Sequence, residues 1–234
     1  LEIGPPRTIP LPAVPTRFAR SHDGRTLGMV SESSGMGWLL DLDSETVGQE
    51  RLIHNGASFV GLSPDGQWMS TSGWHSGLVR LWNARTGAIV REWPLFRATS
   101  FFTLDSRVLV TSQGDEFGFH DVESGKLLYR LRRDVSLYPG HVAFAPQGGL
   151  MALEMDPGVI HLKDVATGQT VARLEVPHGD RSTWMGFTPD GGQLVVNAVY
   201  SKAIHVWDLR EIRRRLKAMN LDWDRPELPA YPQK

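Results

Sequence analysis

The sequence predicts an all-β fold built from five copies of one repeat. A tight-turn motif recurs at intervals of 42, 40, 42 and 43 residues, counted on its third residue. The five turns are Ser21-His22-Asp23-Gly24, Ser63-Pro64-Asp65-Gly66, Thr103-Leu104-Asp105-Ser106, Ala145-Pro146-Gln147-Gly148 and Thr188-Pro189-Asp190-Gly191. A period of about 40 to 45 residues with four short strands is typical of a β-propeller.

A second polar residue follows each turn after 16 to 18 residues and ends an alternating apolar stretch. These anchor residues are Asp41, Asn83, Asp121, Asp164 and Asp208. Four of them are followed by a turn that ends in glycine, at Gly48, Gly87, Gly125 and Gly168. The two markers together predict five four-stranded blades in the same register.

The second repeat illustrates the predicted order of elements. It begins with a short outer strand over residues 50–53, followed by strands over residues 58–62, 67–72 and 77–82. The Pro-Asp-Gly turn suits a type I turn, because proline presets φ and glycine accepts the strained position. Strands such as the one containing Val195 and Val196 are apolar on both faces, which predicts sheets stacked between neighbours.

The chain ends predict how the blades close. Residues Thr8 to Leu11 form a predicted outer strand, and the fifth repeat lacks one because a helix follows Asp208 directly. We therefore expect the N-terminal strand to close the last blade of a five-bladed ring. Such a ring should be a monomer near the chain mass of 26.1 kDa. The alternative is that these are the last five blades of a larger ring that begins upstream.

Two domains are expected, a propeller over residues 1–208 and a docked helix and tail over residues 209–234. Asp208 and Glu211 have the spacing of a helix-capping box. Leu209, Ile212, Leu216 and Met219 form one apolar helical face, and Asn220 is a predicted left-handed stop. Trp223 is expected to dock the extended tail on the propeller.

Composition excludes several classes of function. The net charge is −1, there is no cysteine, and no apolar run is long enough to span a bilayer. We expect no nucleic-acid binding, no membrane insertion and no cofactor. The sequence starts without a methionine or a leader. We therefore expect it to come from a longer protein, with the cytoplasm favoured as its compartment.

No motif of a known active site is present, which predicts that the chain is not an enzyme. His161 and His205 share one position in their repeats, but no third ligand accompanies them, so no metal is expected. The pattern at Asp41, Asp43 and Glu45 resembles a calcium loop but falls on the repeat's own turn. The competing hypothesis is an enzyme with a site at the central channel.

The helix after Asp208 carries Arg210, Arg213, Arg214, Arg215 and Lys217. These cations predict a solvated face opposite the docked apolar face, with favourable charge near the helix C-terminus. An anionic partner is the alternative. No aromatic residues alternate with the cations, which argues against single-stranded nucleic acid.

A predicted partner site lies on the rim loops, which join outer to inner strands and second to third strands at one propeller face. Aromatic and arginine side chains, the types that dominate interface hot spots, are frequent there. The rim candidates are Trp74, His75, Phe96, Arg97, Arg132, Arg133, Tyr138, Arg181, Tyr200 and Lys202.

The repeats resemble the WD-repeat family over residues 7 to 210. Ser63-Pro64-Asp65-Gly66, Leu81-Trp82-Asn83 and Arg85-Thr86-Gly87 are close to its consensus, and Trp207-Asp208 is its eponymous dipeptide. The resemblance implies a buried polar network in each blade, with His54 and His178 as its histidines and Trp82 and Trp207 as its tryptophans.

The chain departs from that network at several positions. Ser76 and Ser201 replace its turn aspartate, and the tryptophan position is Leu40, His120 or Lys163 in the other blades. Those three blades should therefore depend more on packing. The tail is similar to the ends of planctomycete-type bacterial proteins in which WD repeats often follow a serine/threonine kinase domain.

These observations favour a non-catalytic scaffold that presents its rim to a protein or peptide partner within a larger bacterial signalling protein. The alternative is a structural propeller that packs on its own parent chain. The partner's identity is not encoded in any motif of this sequence.

Overall fold

The computed structural model describes residues 8–48, 52–176, 179–223 and 226–228. Within them, twenty strands form five successive antiparallel sheets, and one helix follows the last strand. The predicted all-β class, five-bladed propeller architecture and C-terminal helix are thereby confirmed.

The sheets follow the repeats in chain order. The first contains β1 (Arg17–Arg20), β2 (Thr26–Ser31), β3 (Met36–Asp41), β4 (Thr46–Val47) and β5 (Leu52–Ile53), with β4 and β5 both paired to β3. The second contains β6 (Phe59–Leu62), β7 (Trp68–Ser72), β8 (Val79–Asn83) and β9 (Ile89–Trp93). The third contains β10 (Thr99–Phe102), β11 (Val108–Ser112), β12 (Glu116–Asp121) and β13 (Leu127–Arg132).

The last two sheets and the helix complete the described chain. The fourth sheet contains β14 (Val142–Phe144), β15 (Leu150–Asp156), β16 (Val159–Asp164) and β17 (Thr170–Glu175). The fifth contains β18 (Ser182–Phe187), β19 (Gln193–Ala198) and β20 (Ala203–Asp208), and α1 spans Leu209–Ala218.

Contacts divide the chain into two compact units. The first unit is Leu1–Gln113 with Gly118–Tyr129, and the second is Gly114–Phe117 with Arg130–Lys234. The division passes through the third sheet. Each unit has its own apolar clusters between sheets, for example around Met69 in the first unit and Ile160 in the second.

Each predicted tight turn joins the first and second strands of its sheet. In the second sheet, Ser63 Oγ donates a hydrogen bond to Asp65 Oδ1 at 2.6 Å and accepts one from Trp68 N at 2.9 Å. Asp65 Oδ1 also accepts from Gln67 N at 3.0 Å. The same bonds recur in three other turns, at Ser21 and Asp23, Thr103 and Asp105, and Thr188 and Asp190.

The anchor residues close a second set of turns. Asn83 Oδ1 accepts from Arg85 N at 3.1 Å and Thr86 N at 2.9 Å, and Gly87 follows with a left-handed φ of 68°. In the first sheet the equivalent left-handed residue is Glu45, with φ of 57°, four residues after Asp41. The prediction that Gly48 ends this turn is wrong, because the hydrogen-bonded turn is three residues shorter.

The predicted closing strand at residues 8–11 is not formed; this segment contains no strand. Ile9 and Leu11 instead pack against Met29, Trp38 and Leu40 on one face of the first sheet. The intervening Pro10 has no backbone N–H to donate to a ladder, which favours side-chain packing over strand pairing. The fifth sheet accordingly contains three strands among the described residues.

The fifth sheet also exposes one apolar face. On this face Trp184, Asn197 and Ile204 are cross-strand neighbours in the three adjacent strands. Val195 and Val206 are cross-strand neighbours beside them. Trp184 is 55%, Ile204 69% and Val206 54% exposed. The opposite face is buried against the fourth sheet.

The C-terminal helix has the predicted caps. Asp208 accepts from Glu211 N at 3.0 Å at its start. At its end Asn220 has a left-handed φ of 57°, and Leu221 N donates to Leu216 O at 2.9 Å, which closes a Schellman motif. No helix of the described residues is long and apolar enough to cross a membrane.

The turn after Asp41 generates a stability prediction. We expect Glu45→Gly to raise the free energy of unfolding by about 0.5–1 kcal/mol, because a left-handed backbone is strained for a residue with a Cβ. Urea denaturation measures the change. Glu45→Ala is the matched control, since it removes the same side chain but keeps the strain. An equal gain in both variants would contradict the backbone explanation.

Candidate functional site

In the first unit, two rim loops bring their predicted residues together. Trp74 and His75 lie in the loop between β7 and β8, and Phe96 and Arg97 lie in the loop between β9 and β10. The Arg97 guanidinium carbon lies 5.1 Å from the Trp74 ring centroid and 5.2 Å from that of Phe96. Phe96 is 59% exposed, so this stack faces solvent.

Side chains outside the stack hold the backbone of both loops in place. Trp74 N donates to Ser58 Oγ at 3.2 Å, and Gln113 Nε2 donates to Phe96 O at 3.2 Å. A Cβ on Gly73 would clash with the Gly56 carbonyl oxygen, so only glycine allows the two loops to approach here. The two loops are therefore held by the scaffold.

In the second unit, Arg181 stacks on Tyr138. The Arg181 guanidinium carbon lies 3.7 Å from the Tyr138 ring centroid, and Arg181 Nε is buried without a hydrogen-bond partner in the described structure. Val135 and Leu137, in the loop between β13 and β14, are both largely exposed. Neither residue is among the predicted rim candidates, although apolar residues within a polar loop are a signal that identifies such a surface.

The second unit's Tyr200 loop depends on a buried carboxylate. Asp180 Oδ1 accepts from Tyr200 N at 2.9 Å, and its Oδ2 accepts from Ser201 N and Ser201 Oγ, both at 2.7 Å. Burial opposes ionisation, but these hydrogen bonds outweigh it and lower the pKa of Asp180 to about 2. Tyr200 is 73% exposed, and Lys202 follows with a left-handed φ of 52°.

Arg133 differs from the other rim candidates. It is only 8% exposed, and its Nε donates to Glu154 O at 3.1 Å while Nη1 donates to Tyr138 O at 2.7 Å. Its assignment to the free rim is therefore wrong: this guanidinium is used to satisfy buried carbonyls and to hold the Tyr138 loop. The neighbouring Arg132 ends β13, is exposed and lines a shallow polar cavity of about 520 Å³.

The polar network implied by the WD-repeat resemblance is present in the second sheet. Trp82 Nε1 donates to Thr71 Oγ1 at 2.8 Å, and the same hydroxyl lies 2.7 Å from His54 Nδ1. His54 Nε2 lies 2.6 Å from Ser76 Oγ, which donates to Leu78 O. Ser76 thus stands in for the family's aspartate.

The other sheets depart from that arrangement. In the third, His120 occupies the tryptophan position and its Nε2 lies 3.1 Å from Thr111 Oγ1. In the fourth, Lys163 Nζ donates to Thr170 Oγ1 at 2.7 Å. In the fifth, Trp207 Nε1 is buried without a partner among the described residues, and His178 lies outside them.

The basic helix is not a free cationic surface. Each of its five cations is within an ion pair, formed as Arg210–Asp190, Arg213–Asp222, Arg214–Glu211, Arg215–Glu211 and Lys217–Glu227. Arg213 is buried, and its Nη2 lies 3.0 Å from Asp222 Oδ2. Its guanidinium carbon also lies 5.4 Å from the Trp223 ring, which packs on the core of the fourth and fifth sheets.

No candidate metal centre stands out in the part of the chain that the structure describes. It contains no group of three or more histidine, aspartate or glutamate side chains placed to hold a metal ion. Asp41, first in the calcium-like pattern, uses its Oδ1 to accept from Asp43 N and Ser44 N at 2.8 and 2.9 Å. That carboxylate oxygen serves the turn itself.

The five sheets, their repeated turns and the Trp82–Thr71–His54 network support a β-propeller of the WD-repeat type. No family's sequence profile matches the chain. Over 94 residues, 40% of this chain, the sequence is 30% identical to WD repeat and SOCS box-containing protein 1 of Takifugu rubripes. The match covers 21% of that protein, so the chain spans about a fifth of this relative's length.

Among solved structures, the chain is similar to Kuenenia stuttgartiensis hydrazine synthase, with a TM-score of 0.67. The two are 16% identical, and the similarity covers 79% of this chain and 55% of that one. At this identity the likeness shows the fold alone, because one fold supports many functions.

His54 generates a pH prediction. Burial, followed by the positive charge of Arg80, lowers the pKa of His54 to about 4 from an ordinary value of 6.5. Between pH 6.5 and pH 4 the unfolded chain therefore binds a proton at His54 that the folded chain does not bind. The free energy of unfolding should fall by about 3 kcal/mol as the pH drops from 6.5 to 4, at roughly 1.4 kcal/mol per pKa unit.

Urea denaturation at several pH values measures this loss, with His54→Gln as the control for other titrating groups. The variant should be less stable at neutral pH but should lose less on acidification. Parallel pH profiles for the two proteins would contradict the assignment to His54.

Arg213 generates a second prediction. We expect Arg213→Ala to lower the free energy of unfolding by about 3 kcal/mol, because it leaves the partly buried Asp222 carboxylate without its cation. The exposed Arg214→Ala should change it by less than about 0.5 kcal/mol. A double-mutant cycle with Asp222→Ala measures the coupling. Independent, additive effects at Arg213 and Asp222 would refute the pairing.

Proposed function

We propose that this chain is a non-catalytic interaction module whose rim loops hold a protein or peptide partner. One observation carries the proposal: rigid strands support exposed aromatic side chains beside stacked arginines in loops of both units. The stacks are Arg97 on Trp74 and Phe96, and Arg181 on Tyr138. Side chains of these types, held in place before binding, contribute strongly to interface affinity.

The similarity to WD repeat and SOCS box-containing protein 1 supports this proposal, since that protein is named for the same kind of repeat. The resemblance of the tail to bacterial kinase-associated proteins supports a place within a larger bacterial signalling protein. That placement rests on the sequence resemblance of the tail.

A structural role is the second candidate, and the exposed face of the fifth sheet favours it. Trp184, Ile204 and Val206 are exposed apolar side chains on this face, around Asn197. Apolar side chains exposed together in this way mark contact surfaces more often than isolated ones. A propeller that packs on its own parent chain would cover such a face within one polypeptide.

Affinity capture tests the two candidates. We expect an immobilised wild-type chain to retain a protein from lysate of the source organism that a Trp74→Ala/Tyr200→Ala variant loses at least tenfold, measured by quantitative mass spectrometry. Ile89→Ala is the matched control, because it removes an exposed apolar side chain from an outer strand. Identical retention by all three proteins would reject the rim as the binding surface and favour the structural role.

A further inference from the structure

We propose that the rim stack of the first unit, defined as Trp74, Phe96 and Arg97, binds an acidic peptide segment. In this proposal a partner carboxylate pairs with Arg97, and an adjacent apolar side chain packs on Phe96. The inference rests on the proposed function and adds the chemistry of the partner.

Arg97 contacts both aromatic rings of the stack. Its guanidinium carbon lies 5.1 Å from the Trp74 centroid and 5.2 Å from the Phe96 centroid, so the aromatic rings engage the cation. A guanidinium is planar, so it can contact an aromatic ring and bind a carboxylate at the same time. Its N–H donors, which lie at the edge of the plane, match the two oxygens of a carboxylate.

Arg97 is also held in a strained backbone conformation. Its φ is 52°, in the left-handed region that disfavours residues with a Cβ. Such strain persists when the surroundings enforce it, as the Gln113 bond to the Phe96 carbonyl does beside it. A positioned arginine loses less side-chain entropy on binding than a free one, which increases affinity.

The charge of Arg97 is uncompensated within the described structure. Arg80 pairs with Glu92 at 2.6 Å, and Arg213 pairs with Asp222, whereas Arg97 is in no ion pair among the described residues. The loops that form the stack, residues 73–78 and 94–98, contain no aspartate or glutamate. In this proposal the partner supplies the charge that complements Arg97.

The second unit contains the same kind of construction. Arg181 stacks on Tyr138 at 3.7 Å, and its Nε has no hydrogen-bond partner among the described residues. Exposed apolar side chains, Val135 and Leu137, lie in the Tyr138 loop, as Phe96 lies beside Arg97. Stacked arginine next to exposed apolar surface is thus a repeated feature of the rim loops.

A peptide fits this surface better than a nucleic acid. Binding along a phosphate backbone depends on several cations that each neutralise one charge. The stack offers one guanidinium and the neighbouring His75, within a chain of net charge −1. One carboxylate beside one apolar side chain matches what the three residues present.

Selection from a peptide library tests the proposal. A phage-displayed library of random dodecamers is selected on the wild-type chain and, in parallel, on Arg97→Asn, which removes the charge but tolerates a left-handed backbone. Arg85→Asn is the matched control, because Arg85 is exposed in the turn after β8, outside the rim loops. Circular dichroism establishes that each variant is folded, and Arg97→Gly serves if Arg97→Asn is not.

We expect the wild type and Arg85→Asn to enrich peptides with aspartate or glutamate next to an apolar residue. Fluorescence anisotropy with a synthetic copy of the most enriched peptide should show at least tenfold weaker binding to Arg97→Asn. Replacing its acidic residue with the amide should weaken binding to the wild type by a similar factor. A phosphoserine version that binds more tightly would reject a carboxylate as the ligand in favour of phosphate.

The failures of the two proposals are distinguishable. The proposal of an acidic partner is rejected if the enriched peptides are neutral or basic and bind Arg97→Asn as tightly as the wild type. If those peptides still lose affinity for Trp74→Ala/Tyr200→Ala, the rim remains a binding surface. If they bind that variant equally well, both proposals are rejected.

Discussion

The burial of sheets that are apolar on both faces is the constraint on which the rest of this structure depends. In β15, the run from Leu150 to Leu153 is buried at every position, so side chains on both faces need a covering layer. Neighbouring sheets supply it: Gly28 in β2 lies against Val60, Leu62 and Met69 of the second sheet. Strands of one repeat thus become stable only with those of the next.

Polar interactions specify the ends of the strands within that packing. A hydroxyl–aspartate pair such as Ser63 and Asp65 satisfies the backbone of the first turn, and an anchor such as Asn83 satisfies the second. The buried His54 network adds a polar link in the second sheet. The first sheet, with Leu40 packed on Met29 and Trp38, has a purely apolar cluster at the corresponding place.

Buried charges serve the exposed surface in the second unit. Asp180 holds the Tyr200 loop through the backbone, and Arg133 holds the Tyr138 loop through its carbonyl. Both charged groups act through the backbone of the loops that they support. Tyr200 depends on Asp180 for its position, and Tyr138, on which Arg181 stacks, depends on Arg133.

The sequence by itself determined the repeat, the strand order and the helix caps, because these depend on local hydrogen bonds and on apolar periodicity. The turn at Asp65, the anchor at Asn83 and the stop at Asn220 all form where their residues predict them. Loop composition also singled out Trp74, Phe96 and Arg97, which the structure brings into contact.

Tertiary structure decided where long side chains and chain ends lie. Arg133 is buried rather than exposed, Arg213 leaves the solvated helix face to pair with Asp222, and Ile9 and Leu11 pack on the first sheet instead of forming a strand. Each outcome depends on partners distant in sequence: the Glu154 carbonyl, the tail carboxylate and the Trp38 cluster. A single sequence specifies its local hydrogen bonds directly, but the burial of a charge depends on which distant groups the fold brings within reach.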